Sequence, residues 1–83
     1  MATVTVRLFA GAADAAGTEE ASLDVAANAV VGDVRAALRE RHGAEFADVL
    51  SRCSVMIDGR RADDDVPVAT GAALDILPPF AGG

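Results

Sequence analysis

The sequence predicts a single α+β domain, a mixed sheet of four to five strands with one main helix packed on one face. Three observations carry this. Segments of period two recur at 3–9, 21–25, 53–57 and 74–77, the pattern of half-buried strands. One stretch alone has helical spacing, with Val31, Val34 and Leu38 at i, i+3 and i+7. Between two short extended runs stands Asp58-Gly59, a strong hairpin dipeptide. One sheet covered by one helix buries every inward residue of such a pattern.

In order, Thr3–Phe9 alternates with Val4, Val6 and Leu8 on one face and Thr3, Thr5, Arg7 and Phe9 on the other. The second set is polar except for Phe9, an outward aromatic that needs a reason. The Ala/Gly-rich stretch 10–18 reads as a loop or a short helical turn. Ala21, Leu23 and Val25 point inward from a second strand that forms a hairpin with the first. In the next element, the main helix, Asn28 is the candidate N-cap and Asp33 suits the first turn. Arg39, Arg41 and His42 suit the last turn, and Gly43 the left-handed position beyond it. Gly32 weakens the first turn. Residues 45–50 extend to one more short helical turn, with Phe46, Val49 and Leu50 packing down. Cys53–Ile57 is a third strand, returning through Arg60-Arg61-Ala62; Pro67 argues against a central strand in the neighbouring acidic loop. Leu74–Leu77 is the last strand, with Leu74 and Ile76 inward and Asp75 and Leu77 outward. The order is β-β-α-β-β-β, that of ubiquitin and its relatives, the β-grasp fold. In that fold the first and last strands lie parallel at the sheet's centre.

Composition narrows the functional classes. A chain of 83 residues with 52% hydrophobic content is one domain with enough apolar material for a core. Its 13 acids, seven arginines and absent lysines give a formal charge of −6, which disfavours phosphate backbones and favours basic partner surfaces. Cys53 is the only cysteine, so no disulfide framework or metal-ligand pair is expected. No apolar run is long enough for a membrane span, and a cytoplasmic location is expected. His42 and Cys53 are the only candidates for a nucleophile–base pair. Their positions, at a helix C-terminus and on a strand's inward face, read as structural, so the domain is not expected to be an enzyme by itself.

The chemistry is expected at the end of the chain. Ile76-Leu77-Pro78-Pro79-Phe80-Ala81-Gly82-Gly83 is a strand, a stiff spacer and two bare residues. The domain is placed at 1–77 and a flexible tail ending in Gly-Gly at 78–83. A residue before proline is pushed toward extended backbone, and a proline pair favours a polyproline II rod that projects the last residues away from the body. Gly82 and Gly83 fit where any Cβ would collide. The Gly83 carboxylate is therefore read as the working group. Ordering such a tail costs roughly 1–2 kcal/mol per residue, so a partner must also grip the domain. Parallel pairing of the first and last strands would set outward Phe9 beside outward Leu77, with Phe80 just beyond. Met56 extends this patch, while Arg60 and Arg61 are either partner contacts or a solvated turn.

Val6-Arg7-Leu8-Phe9-Ala10, Val31-Gly32-Asp33-Val34 and Asp75–Gly83, with the Pro-Pro-aromatic-small-Gly-Gly ending as the specific part, resemble the MoaD/ThiS family of small sulfur carriers over essentially the full length. Within it the chain looks most like the MoaD branch, the small subunit of molybdopterin synthase. Val30 departs from the branch, where many members carry a helix-capping Thr. The resemblance implies that a MoeB-like relative of the E1 enzymes uses ATP to adenylate Gly83. A sulfur donor protein then leaves a thiocarboxylate there. The tail, with Gly82 beside the reacting group, enters a MoaE-like large subunit and passes sulfur to the cyclic pterin precursor of molybdenum cofactor. It also implies a heterotetramer in which Phe9, Leu77, Pro78, Pro79, Phe80 and Ala81 contact the partner. No cofactor or metal is implied for the chain itself; ATP is used by the activating enzyme. Three alternatives stay open: a carrier for thiamine, cysteine or tRNA thiolation, a ubiquitin-like protein modifier, and a plain binding module.

Overall fold

Alternation in the first strand sets the two faces of the sheet. β1 (Ala2–Leu8) buries Ala2, Val4, Val6 and Leu8 and turns Thr3, Thr5 and Arg7 outward, as period two requires. The computed structural model describes residues 1–79. After β1 come α1 (Ala10–Ala16), β2 (Glu20–Val25), α2 (Val31–His42), α3 (Ala44–Leu50), β3 (Ser54–Ile57), β4 (Arg60–Arg61) and β5 (Ala73–Leu77). Among the described residues the strands form one five-stranded sheet in the order β2-β1-β5-β3-β4. β1 and β5 are parallel at its centre, pairing Val6 with Leu74, Arg7 with Asp75 and Leu8 with Ile76. The other pairs are antiparallel. Parallel neighbours need a crossover, and the chain carrying α2 and α3 supplies it.

The helices cover the inward face. Phe46, Leu38, Leu50, Val31 and Val34 meet Leu74, Ile76, Val55, Val4 and Val6 in a core where each is at most 1% exposed. Burying each of these side chains contributes about 1.5–3 kcal/mol, and the sheet's outer face takes no part. At the hairpin, Asp58 and Gly59 have φ of 52° and 80°, the double positive φ that a two-residue turn of matching twist demands.

Three local expectations are corrected or sharpened. Residues 10–16 form a two-turn helix, α1, closed by Gly17 at φ 77°, ψ 14°. Alanine's helix propensity and the complete burial of Ala12 account for it, without the large apolar residues that periodicity detects. The N-cap of α2 is Val30, not Asn28. The Val30 amide donates to Asp33 Oδ2 at 2.9 Å, and the Asp33 amide donates to the Val30 carbonyl at 2.9 Å. The next donors are taken by the loop opposite, Val31 N–H by Val66 O and Gly32 N–H by Asp64 O, both at 2.9 Å. A Cβ on Gly32 would stand 3.3 Å from Asp64 O, so this glycine permits a close approach that fixes the helix start. Gly43 has φ 92° but ψ −173°, outside the left-handed helical region. It ends α2 and lets α3 begin at the next residue, its carbonyl accepting from Ala47 N–H at 3.0 Å.

Candidate functional site

The central parallel pair assembles the outward residues. One step beyond the pairing of Leu8 with Ile76, Phe9 comes alongside Leu77, and Phe9 N–H donates to Ile76 O at 3.3 Å. Phe9 keeps extended backbone, φ −123° and ψ 148°, as the residue that caps α1, so its ring stays on the outer face. It is 38% exposed and, with Met1, one of two large hydrophobic side chains so exposed among the described residues. Leu77 and Pro78 are half-buried and Pro79 is exposed. The structure thus brings Phe9 and Leu77 together. Phe80, Ala81, Gly82 and Gly83 lie outside the described residues.

The rest of the face is polar and ordered in rows. Pairing across strands sets Glu20, Arg7, Asp75, Met56 and Arg61 in one line across the sheet. Within it Arg7 donates to Asp75 twice, Nε to Oδ1 at 2.8 Å and Nη2 to Oδ2 at 3.0 Å. The Arg7 guanidinium lies 5.8 Å from the Phe9 ring centroid. Hydrogen bonding and charge from Asp75, with a lesser effect of Glu20, push the Arg7 pKa further up, so the cation is permanent. Met56 is half-buried, and Arg60 and Arg61 are exposed with no ion pair among the described residues. Where β1 runs into α1, a cleft of about 410 Å³ opens between Arg7, Phe9, Ala10, Ala13, Glu19 and Glu20. The Arg7–Asp75 pair is the feature of this face that the sequence hides. Both residues read as outward and oppositely charged, but only the strand register makes them partners.

The candidate nucleophile and base do different work. Cys53 lies just ahead of β3, buried, with its thiol donating to Val49 O at 3.2 Å, and burial pushes its pKa up. A thiol held in its protonated form is a poor nucleophile. His42 packs on the Phe46 ring with centroids 4.9 Å apart, and burial, aided by Arg41, lowers its pKa. Arg35 borders a second, smaller cleft of about 280 Å³ with Cys53, Arg61 and Asp63. Its guanidinium bridges Leu50 O and Cys53 O at 2.9 Å each. Its Nε stands 2.9 Å from Asp64 Oδ1 in an ion pair without hydrogen-bond alignment. Arg35 ties α2 to the end of α3, to the residue just ahead of β3 and to the loop at Asp64. Among the described residues no helix is long and apolar enough to cross a membrane.

The strand order, the central parallel pair and the helices on one face define a ubiquitin-like β-grasp protein, with an aromatic–aliphatic pair where its last strand ends. The profile of the ThiS family matches residues 6–83, and the chain belongs to that family. SAMP1 from Haloferax volcanii is 31% identical with a TM-score of 0.87, the alignment covering 98% of this chain and 99% of that one. A chain of the complex of subunits 1 and 2 of molybdopterin-converting factor from Helicobacter pylori is 24% identical, with a TM-score of 0.71 and coverages of 98% and 99%. Caldiarchaeum subterraneum ubiquitin, at 22% identity, TM-score 0.65 and coverages of 99% and 98%, shares the fold. No functionally curated relative matches the chain significantly.

Proposed function

We propose that this chain is the sulfur-carrying small subunit of a molybdopterin synthase, with the Gly83 carboxylate as the reactive group. One observation carries the reading: in a member of the ThiS family, β5 lies in the middle of the sheet and ends with Leu77 beside the exposed Phe9. The domain thus offers a partner an apolar grip at the base of residues 78–83. A carboxylate is a poor electrophile until it carries a leaving group. An E1-like activating enzyme consumes ATP, releases pyrophosphate and leaves an acyl-adenylate on Gly83. The terminal sulfur of a donor-protein persulfide displaces AMP to give an acyl disulfide. A thiol reductant cleaves its S–S bond, taking the donor sulfur into a new disulfide and leaving the thiocarboxylate. The thiocarboxylate passes its sulfur to the pterin precursor inside a large subunit and returns to the carboxylate. The Helicobacter pylori complex, in which a chain of this fold is paired with a second subunit, supports such a partner. Protein with its native C-terminus, incubated with the activating enzyme, ATP and a sulfur source, should gain the mass of one sulfur replacing one oxygen at Gly83. No mass change in the complete mixture would overturn the proposal.

A second reading is favoured by the likeness to SAMP1, a small archaeal modifier protein, over nearly the whole of both chains. In this reading a lysine amine attacks the activated Gly83 instead of sulfur, forming an isopeptide bond and releasing AMP. Adducts on lysines of other proteins would select it. Sulfur exchange without adducts would select the carrier.

A further inference from the structure

One side chain holds the strand that leads to the tail. Arg7 and Asp75 are direct partners in the parallel β1–β5 pair, and Asp75 stands two positions before Leu77. Their two hydrogen bonds, 2.8 and 3.0 Å, use the planar fork that lysine lacks. Glu20 faces Arg7 from the other neighbouring strand, yet the fork is turned to Asp75. The same guanidinium stands 5.8 Å from the Phe9 ring, within cation–π range. Side-chain exposures of 54% and 23% put the pair on the open face, where ion pairs contribute little to folding stability. The register is already fixed by backbone pairing on both sides of β5. Folding alone therefore gives little reason for a bidentate pair at this place.

We infer that Arg7 and Asp75 are a positioning pair for tail transfer, in which one guanidinium fixes both the direction of β5 as it leaves the sheet and the attitude of the Phe9 ring. This rests on the carrier function proposed above. A patch set before encounter loses less freedom on docking, so loosening it weakens capture of the charged carrier without altering the transfer step. Both residues act through Leu77 and Phe9.

The test uses the full chain charged as the thiocarboxylate, with its large subunit and the pterin precursor. Arg7→Gln and Asp75→Asn should each melt within a few degrees of the parent and raise the KM for the charged carrier about tenfold, leaving kcat unchanged. Arg7→Lys, which restores the cation without the fork, should recover only part of the loss. Unchanged KM in Arg7→Gln, or a loss that tracks the melting temperature across the variants, would overturn the assignment. Phe9→Asp runs alongside. If it raises KM while Arg7→Gln does not, the positioning pair alone is wrong; if neither does, the docking reading fails as well.

Discussion

Replacing Phe9 measures the docking patch most directly. The ring is 38% exposed in the free domain, which for a phenylalanine burying about 200 Å² when covered leaves roughly 75 Å² for a partner to take from water. At about 25 cal/mol per Å² this amounts to about 2 kcal/mol, a factor of about 25 in Kd. Phe9→Ala should therefore weaken binding to the large subunit about 25-fold by isothermal titration calorimetry. Phe9→Asp, which sets an unpaired carboxylate in the same contact, should abolish binding at micromolar concentrations. Folding should be spared in both. Phe9 keeps its backbone hydrogen bond to Ile76 O whatever its side chain, and the core residues lie on the opposite face. A melting temperature close to the parent's must accompany the loss. A Kd within threefold of the parent for both variants would refute the patch.

Other parts of the molecule supply three further expectations. Deleting Gly83 should leave the thermal melt unchanged and remove sulfur transfer altogether in a single-turnover assay, and residual transfer would place the reactive group elsewhere. The lowered pKa of His42 means the unfolded chain takes its proton first as pH falls. Stability linked to His42 is then fully present above the ordinary value near 6.5 and is lost as pH drops from there through the folded value. His42→Gln should flatten that part of a melting-temperature profile between pH 7.5 and 5. Val30→Thr adds a hydroxyl acceptor at an N-cap whose first-turn donors are already taken by Val66 O, Asp64 O and the Val30 carbonyl, so the roughly 1 kcal/mol of an ordinary N-cap should be missing; a melting-temperature gain of several degrees in a thermal melt would refute this.

Much of this architecture is legible in the residues alone, and the exceptions have physical causes. Alternation in 3–9 and 74–77 places the strands and their faces, and with them the anomaly of an outward Phe9. The order of elements then implies the parallel pairing. α1 escapes because its packing residue is Ala12, too small to mark a face, and Gly11 disguises the rest. Asn28 resembles a cap because its side chain is suited to the task. The real cap is built by Asp33 reaching back to Val30 and by backbone carbonyls of a loop more than 30 positions away, which no local rule detects. Gly32 reads as a weakness in the helix and proves to be the point where that loop comes closest. Arg7 and Asp75, 68 positions apart, are each legible as surface charges. Their pairing belongs to the register.

β5 fills a slot between β1 and β3, and it is the last strand of the sheet to leave the ribosome. Until it arrives, its two neighbours both expose unsatisfied edges, and the sheet is split into separate halves. Such distant pairing slows folding relative to a helical chain of equal length. A copy whose central strand has failed to seat lacks both the joined sheet and the Phe9–Leu77 face built upon it.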